Sequence, residues 1–218
     1  QDYPRPPHFI DHVPHSRHEQ PQSIDKGPNQ LSIAVAGDID QKSDIFLLTD
    51  LARVLSDKNI NVVFHVIGGG RWMPRLETAA PLLTGSCSMQ CHGRVDRSRY
   101  VGILSECHAA LVLPGRLNHF PLPVETSDYA AAGLALFLTH DGELADMVLK
   151  AHAGILTDSL PEELAAAIGP LATDPQQIAR LRQASRKLAE TFLDREKLAA
   201  KAVVWLESLA ELAPVNPV

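Results

Sequence analysis

Leu31-Ser32-Ile33-Ala34-Val35-Ala36-Gly37 is an almost wholly apolar run that stops at a glycine, and the stretch after it, Ser43 to Asp57, carries Phe46, Leu47, Leu51, Val54 and Leu55 at helical spacing. A run of this kind reads as a strand buried on both faces, and Ser43 reads as the N-cap of the helix that follows. The same alternation continues along the chain. A second strand, Asn61 to Ile67, ends at Gly68-Gly69-Gly70, and a third runs from Ser86 to His92. A helix from Asp96 to Cys107 leads to a strand over Ala109 to Leu113. The loop Pro114 to Pro123 then precedes a helix through Asp128-Tyr129-Ala130-Ala131-Ala132, which Gly133 caps. Leu134 to Thr139 and Gly154 to Thr157 read as further strands, with a helix over Gly142 to Lys150 between them. From Leu160 the pattern is helical, with Pro161 in a first turn, Pro170 and Pro175 as punctuation, and helices over Gln176 to Phe192 and Arg195 to Leu212. Strands alternating with helices predict an α/β fold: a single Rossmann-like domain over residues 31–218, with about six mostly parallel strands, helices on both faces and a helical C-terminus.

Composition narrows the function classes. Of the 218 residues, 45% are hydrophobic, ample for a buried core. A net charge of -6 argues against nucleic acid as a partner. The longest apolar runs, such as Ala130 to Leu138, are about half of the roughly 20 residues that a membrane-spanning helix needs, so no transmembrane segment is expected. Three cysteines, Cys87, Cys91 and Cys107, without a signal-peptide apolar region fit a reducing compartment. The expected location is cytoplasmic, at most peripheral to a membrane. Residues 1–30, rich in Pro, His and Gln, read as a linker or arm that cannot fold alone. The chain starts with Gln1 rather than Met, as a processed product or excised fragment would.

In an open parallel sheet the ligand lies outside the carboxyl ends of the strands, where helix N-termini and backbone N–H groups point outward. The loops of interest are therefore Gly37 to Lys42, Gly68 to Arg71, Gly93 to Asp96, Pro114 to Asp128 and Thr139 to Glu143. Gly68-Gly69-Gly70-Arg71 lacks the G-x-G-x-x-G spacing and follows the second strand, which argues against a nicotinamide cofactor. It reads either as a loop whose backbone approaches a ligand or as a tight turn. Cys87, Cys91, His92, Cys107 and His108 invite a metal reading, but C-x-x-x-C-H matches no structural zinc spacing, so no metal is expected. His8, His12, His15 and His18 of the arm read as solvated linker. No nucleophile elbow and no H-E-x-x-H motif occurs. Residue-level reading stops at a rim for an anion or nucleotide.

One segment goes further. Ala109-Ala110-Leu111-Val112-Leu113-Pro114-Gly115, followed by Phe120-Pro121-Leu122-Pro123-Val124-Glu125-Thr126-Ser127-Asp128-Tyr129-Ala130-Ala131-Ala132-Gly133-Leu134-Ala135, resembles a strand ending in Pro-Ser, a loop, then Glu-Tyr-Leu-Ala-Ala-Gly-Leu-Pro. That series belongs to the carboxyl-terminal, donor-binding half of retaining glycosyltransferases of the two-domain GT-B fold, the group 1 family. Gly37-Asp38-Ile39 with Lys42, Val66-Ile67-Gly68-Gly69-Gly70, Cys91-His92-Gly93-Arg94-Val95, Asp141-Gly142-Glu143-Leu144 and Gly154-Ile155-Leu156 are similar to its other turns, in order, over roughly residues 31–210. Val13-Pro14-His15 resembles its interdomain linker.

The resemblance implies a nucleoside-diphosphate-sugar donor as substrate, no metal or other cofactor, and an N-terminal acceptor domain elsewhere in the natural chain, without which nothing is transferred. It implies that the helix beginning near Thr126, with Ser127, presents N–H groups to the diphosphate and that Asp128 holds the ribose hydroxyls. Arg94 and Val95 would border the base, Gly69 would lie in the glycine turn, and Lys42 would reach the phosphates. Two departures stand out: Asp38 replaces the family's Arg after the first-strand glycine, and Glu125 replaces a basic residue some members carry. The upstream acid of the family's E-x7-E motif aligns with Phe120 in one register and Asn118 in another, so Glu125 and Asp128 both stand for the downstream one. Two other readings fit the same segments: a degenerate module that binds or scaffolds without catalysis, and a nucleotide-sugar epimerase domain.

Overall fold

The computed structural model describes residues 30–113 and 123–212. Residues 1–29, 114–122 and 213–218, among them Asn118 and Phe120 and nearly all of the Pro- and His-rich segment, lie outside the described residues. Six strands form one parallel sheet: β1 (Leu31–Ala36), β2 (Val62–Ile67), β3 (Cys87–Gly93), β4 (Ala109–Leu111), β5 (Ala135–Leu138) and β6 (Gly154–Leu156). Their order is β3-β2-β1-β4-β5-β6. The chain first winds outward from β1 through β2 to β3 and then returns to β4 on the other side. This reversal beside β1 is where an open α/β sheet forms its crevice.

The helices are α1 (Lys42–Asp57), α2 (Met73–Ala79), α3 (Arg97–Ser105), α4 (Val124–Ala131), α5 (Glu143–Lys150), α6 (Pro161–Thr173), α7 (Pro175–Phe192) and α8 (Arg195–Leu212). Every residue of β1 and β2 is buried, because both faces of the sheet are covered. Alternation sorts β1 between two cores. Leu31, Ile33 and Val35 pack with Leu48, Leu51 and Leu55 of α1 and Leu164 and Ile168 of α6. Ala34 and Ala36 face Tyr129 of α4, Leu144 and Val148 of α5 and Leu188 of α7. The small side chains on that second face let α4 come close, and the Ala36 N–H donates to the Tyr129 hydroxyl.

Element boundaries differ from the expected ones where caps were misjudged. α1 opens at Lys42 with Gln41 in the N-cap position, so Ser43 lies inside the first turn and caps nothing. α4 opens at Val124 after Pro123, two residues before the expected start, since proline is well placed at a helix entrance. Pro170 lies inside α6 rather than ending it; the break falls at Asp174, whose carboxylate accepts from the N–H groups of Gln176 and Gln177 and caps α7. Gly133 behaves as expected. At φ +67 it closes α4 with paired bonds, Gly133 N–H to Ala130 O and Leu134 N–H to Tyr129 O, and turns the chain into β5.

Candidate functional site

A cleft of about 290 Å³ opens at the carboxyl ends of β1, β2 and β3, lined by Ala36, Gly37, Ile67, Gly68, Arg94, Val95, Tyr100, Glu125 and Asp128. Four of the five loops singled out from the sequence meet there, while Thr139 to Glu143 contributes no lining residue.

One side of the cleft is made of backbone. Gly68, at φ +144, lies so close to the β1–α1 loop that a Cβ on it would fall 2.1 Å from the Gly37 carbonyl oxygen. Gly70, at φ +104, would place a Cβ 2.5 Å from the Ile39 nitrogen. The Ile39 N–H donates to Gly69 O at 2.8 Å and the Gly68 N–H to Gly93 O at 2.8 Å. The close approach of Gly68 and Gly70 is to the protein's own backbone, as in a tight turn. Above this turn the Arg94 guanidinium holds both oxygens of Asp38, Nη2 to Oδ1 at 2.8 Å and to Oδ2 at 2.7 Å. The Gly69 N–H donates to the same Asp38 Oδ1 at 3.0 Å. The departure Asp38 therefore does not face the cleft as an unopposed acid: it carries its own cation.

The other side is made of side chains. Asp128, in the middle of α4, is clamped by Arg97 of α3 through two parallel bonds, Nη1 to Oδ2 at 3.0 Å and Nη2 to Oδ1 at 3.1 Å. The Asp128 side chain is 11% exposed and that of Arg97 52%, so the pair sits at the mouth with its acid inward. The Arg97 guanidinium also lies over the Tyr100 ring, 5.4 Å from its centroid. Burial, followed by the neighbouring Tyr129, Asp128 and Glu125, pushes the Tyr100 hydroxyl well above its ordinary value, so it stays protonated. That hydroxyl and the Thr126 hydroxyl are buried without a hydrogen-bond partner among the described residues.

The cysteines are built into the cores. Cys87 and Cys91 pack on the α1 face of the sheet and Cys107 on the opposite face. Burial, aided by Glu77, raises the Cys91 thiol to about 11. His108 accepts the Ser32 N–H at 3.0 Å, and the His92 ring meets His65, nitrogen to nitrogen at 3.1 Å. Among the described residues no three His, Cys, Asp or Glu side chains gather as metal ligands would.

The family model for group 1 glycosyl transferases matches residues 16–188, well over half of the chain. The chain belongs to the group 1 glycosyltransferases. Solved structures share the fold of this group 1 domain. The catalytic domain of a cholesterol-α-glucosyltransferase from Helicobacter pylori superposes with a TM-score of 0.60 at 15% identity, over 74% of this chain and 98% of that one. Sucrose-phosphate synthase from Thermosynechococcus elongatus gives 0.67 at 17%, over 86% of this chain and 47% of that one. HepE from Anabaena, solved with UDP and glucose, gives 0.63 at 14%, over 84% and 49%. The group 1 domain thus spans about half the length of the last two. No curated protein sequence matches it.

Of the residues expected at the group 1 site, Arg94, Val95, Glu125 and Asp128 line the cleft. Gly69 borders it through its N–H to Asp38. Thr126 and Ser127 are buried and do not line it, and the Thr126 N–H goes to Pro123 O at 3.0 Å. The N-terminal position expected of Thr126 belongs to Val124 and Glu125 instead, because the helix opens earlier. Lys42 is exposed at the start of α1 with its ammonium over the Phe46 ring at 5.2 Å, outside the cleft lining. Arg97 and Tyr100 were not singled out from the sequence. Their spacing of one helical turn behind the N-cap Asp96 is the one signal that marks them as neighbours on α3.

Proposed function

We propose that residues 31–218 form the donor-nucleotide half of a retaining glycosyltransferase, binding a nucleoside-diphosphate sugar and transferring nothing without an N-terminal acceptor-binding domain. The observation that carries this reading is the Asp128–Arg97 clamp, its carboxylate buried, at the edge of a strand-end cleft. A carboxylate has about four lone-pair sites. Arg97 takes one on each oxygen, leaving each oxygen with another for a vicinal diol such as a ribose. Arg97 fixes the Asp128 rotamer through its two bonds, so the acceptor geometry is set before a ligand arrives. Arg94 and Val95 flank the place of the base, and the α4 N-terminus contributes positive potential toward developing negative charge on a departing diphosphate. Family membership and the UDP complexes of structural neighbours support the same ligand class. No metal is assigned a role.

Calorimetric titration with UDP, GDP and ADP tests the reading: binding of one of them is expected, and none at millimolar nucleotide would overturn it. Asp128→Ala should weaken that binding by about 1 to 3 kcal/mol through lost hydrogen bonds to the ribose. Unchanged affinity would remove Asp128 from the site. The scaffold reading is favoured by one observation, that Asp38 already holds Arg94, and the same titration decides between them.

A further inference from the structure

Asp38 is held as a bound anion is held. Its Oδ1 accepts the Gly69 N–H at 3.0 Å and Arg94 Nη2 at 2.8 Å, and its Oδ2 accepts Arg94 Nη2 at 2.7 Å. A backbone N–H from a glycine turn together with a guanidinium is a donor set that suits a phosphate oxygen as well as a carboxylate. This donor set adjoins the cleft: Gly37, Gly68 and Arg94 line it, and Asp38 and Gly69 are the chain neighbours of the first two. Ligand can reach it, because the Arg94 side chain is 73% exposed and that of Asp38 35%.

We infer that Gly69 N–H and the Arg94 guanidinium form an oxyanion seat for a ligand phosphate, and that the Asp38 carboxylate occupies this seat and competes for it. An incoming phosphate must displace the carboxylate from both donors and also meets its negative charge, so Asp38 sets the phosphate affinity of the rim and Arg94 is the cation the phosphate gains. The inference rests on the donor-binding reading only for the identity of the ligand that carries the phosphate. The seat itself is defined by the donors around Asp38.

Pyrophosphate tests the seat apart from any nucleotide. In calorimetry at fixed ionic strength, Asp38→Ser should bind sodium pyrophosphate at least tenfold more tightly than the wild type, while Asp38→Glu, which keeps the charge, should not. Adding Arg94→Ala to Asp38→Ser should abolish the gain. A folded Asp38→Ser protein with no gain, or a gain that survives loss of Arg94, overturns the inference. If Asp38→Ser does not fold, Asp38→Asn carries the same expectation, since it removes the charge and keeps the shape. UDP is titrated alongside. Tighter pyrophosphate with no UDP binding by either protein supports the seat and overturns the donor reading; UDP binding with pyrophosphate unchanged overturns the seat and leaves the donor reading intact.

Discussion

The two ion pairs that flank the cleft are made of the same groups, yet they are held in different ways. Asp38–Arg94 rests on a floor of glycine backbone, with its guanidinium out in water and its carboxylate tied to the Gly69 N–H. Asp128–Arg97 rests on two packed helices, with its carboxylate buried and its guanidinium stacked on Tyr100. On the first side the shape of the rim depends on residues having no side chain. On the second it depends on side chains that α3 and α4 bring together, and there the low exposure of Asp128 makes its partner matter more. An atom added at Gly68 or Gly70 on the first side meets backbone, whereas on the second side the loss of Arg97 takes the guanidinium from a buried carboxylate.

The largest expected effect breaks the glycine floor. Gly68→Ala puts a Cβ 2.1 Å from the Gly37 carbonyl at a backbone angle of +144°. The obstacle is backbone, which cannot step aside as a side chain would. We expect a loss of about 3 kcal/mol or more in urea-unfolding stability, because strain and overlap act together. Gly93→Ala is the control on the same rim. Its φ is +65 but nothing lies within 4 Å of the added atom, so the cost should be only about 1 kcal/mol, that of a left-handed alanine. Equal costs for the two would show that conformation rather than contact holds the turn.

Truncating the two arginines sharpens the comparison at a smaller scale. Arg97→Ala strips the partner from a carboxylate that is 11% exposed and should cost about 1 kcal/mol of folding stability after allowance for the half-exposed guanidinium. Arg94→Ala exposes an acid that water already reaches and should cost less than about 0.5 kcal/mol. Urea denaturation of both variants reads the difference directly. A larger loss for Arg94 would mean that its stem, rather than its charge, packs on the Gly69 turn, where a Cβ would meet Arg94 Nε at 2.6 Å.

The glycine side was legible in advance because strands that end in glycine announce both a turn and a close approach, and β1 and β2 end at Gly37 and Gly68 as expected. The parallel order of the sheet followed from the alternation of apolar runs with helices, and every described strand lies within two residues of its expected ends. What approaches the glycines was not legible, since Gly37 and Gly68 are thirty-one positions apart and meet only through the β1–β2 pairing. The Asp128–Arg97 clamp was hidden for the same reason: it joins α3 to α4 across a strand, and the resemblance that pointed to Asp128 gave no sign of Arg97. Asp38 was noticed as an acid out of place. That Arg94, expected beside a base, answers it became visible only when the β1 and β3 ends came together. The start of α1 was misread at Ser43 because propensity favours Ser as a cap, whereas Gln41 holds that position here, and the start near Thr126 that the resemblance implied falls at Val124, after Pro123.

The smallest effect lies just below the rim, where the His92 ring of β3 lies parallel to His65 of β2, with 3.1 Å between Nδ1 of His65 and Nε2 of His92. One nitrogen of that contact must donate and the other accept, so the contact needs at least one neutral ring. Burial, then Arg99, lowers the His92 pKa from its ordinary 6.5, and Glu106 only partly opposes them. The sign follows from linkage. As pH falls through 6.5 the unfolded chain takes up a proton at His92 that the folded chain still refuses. Stability contributed by neutral His92 is therefore full above that pH and is lost as pH falls toward the lower, folded-state value. Urea unfolding at about pH 7.5 and about pH 5.5 should show the wild type losing more stability than His92→Gln, whose side chain does not titrate. The comparison between the two proteins cancels the histidines that do not touch His92, so equal losses would mean that the His65–His92 contact resists protonation no more than the unfolded chain does. A smaller loss in the variant would place the titrating group in the strand layer that carries the glycine side of the rim.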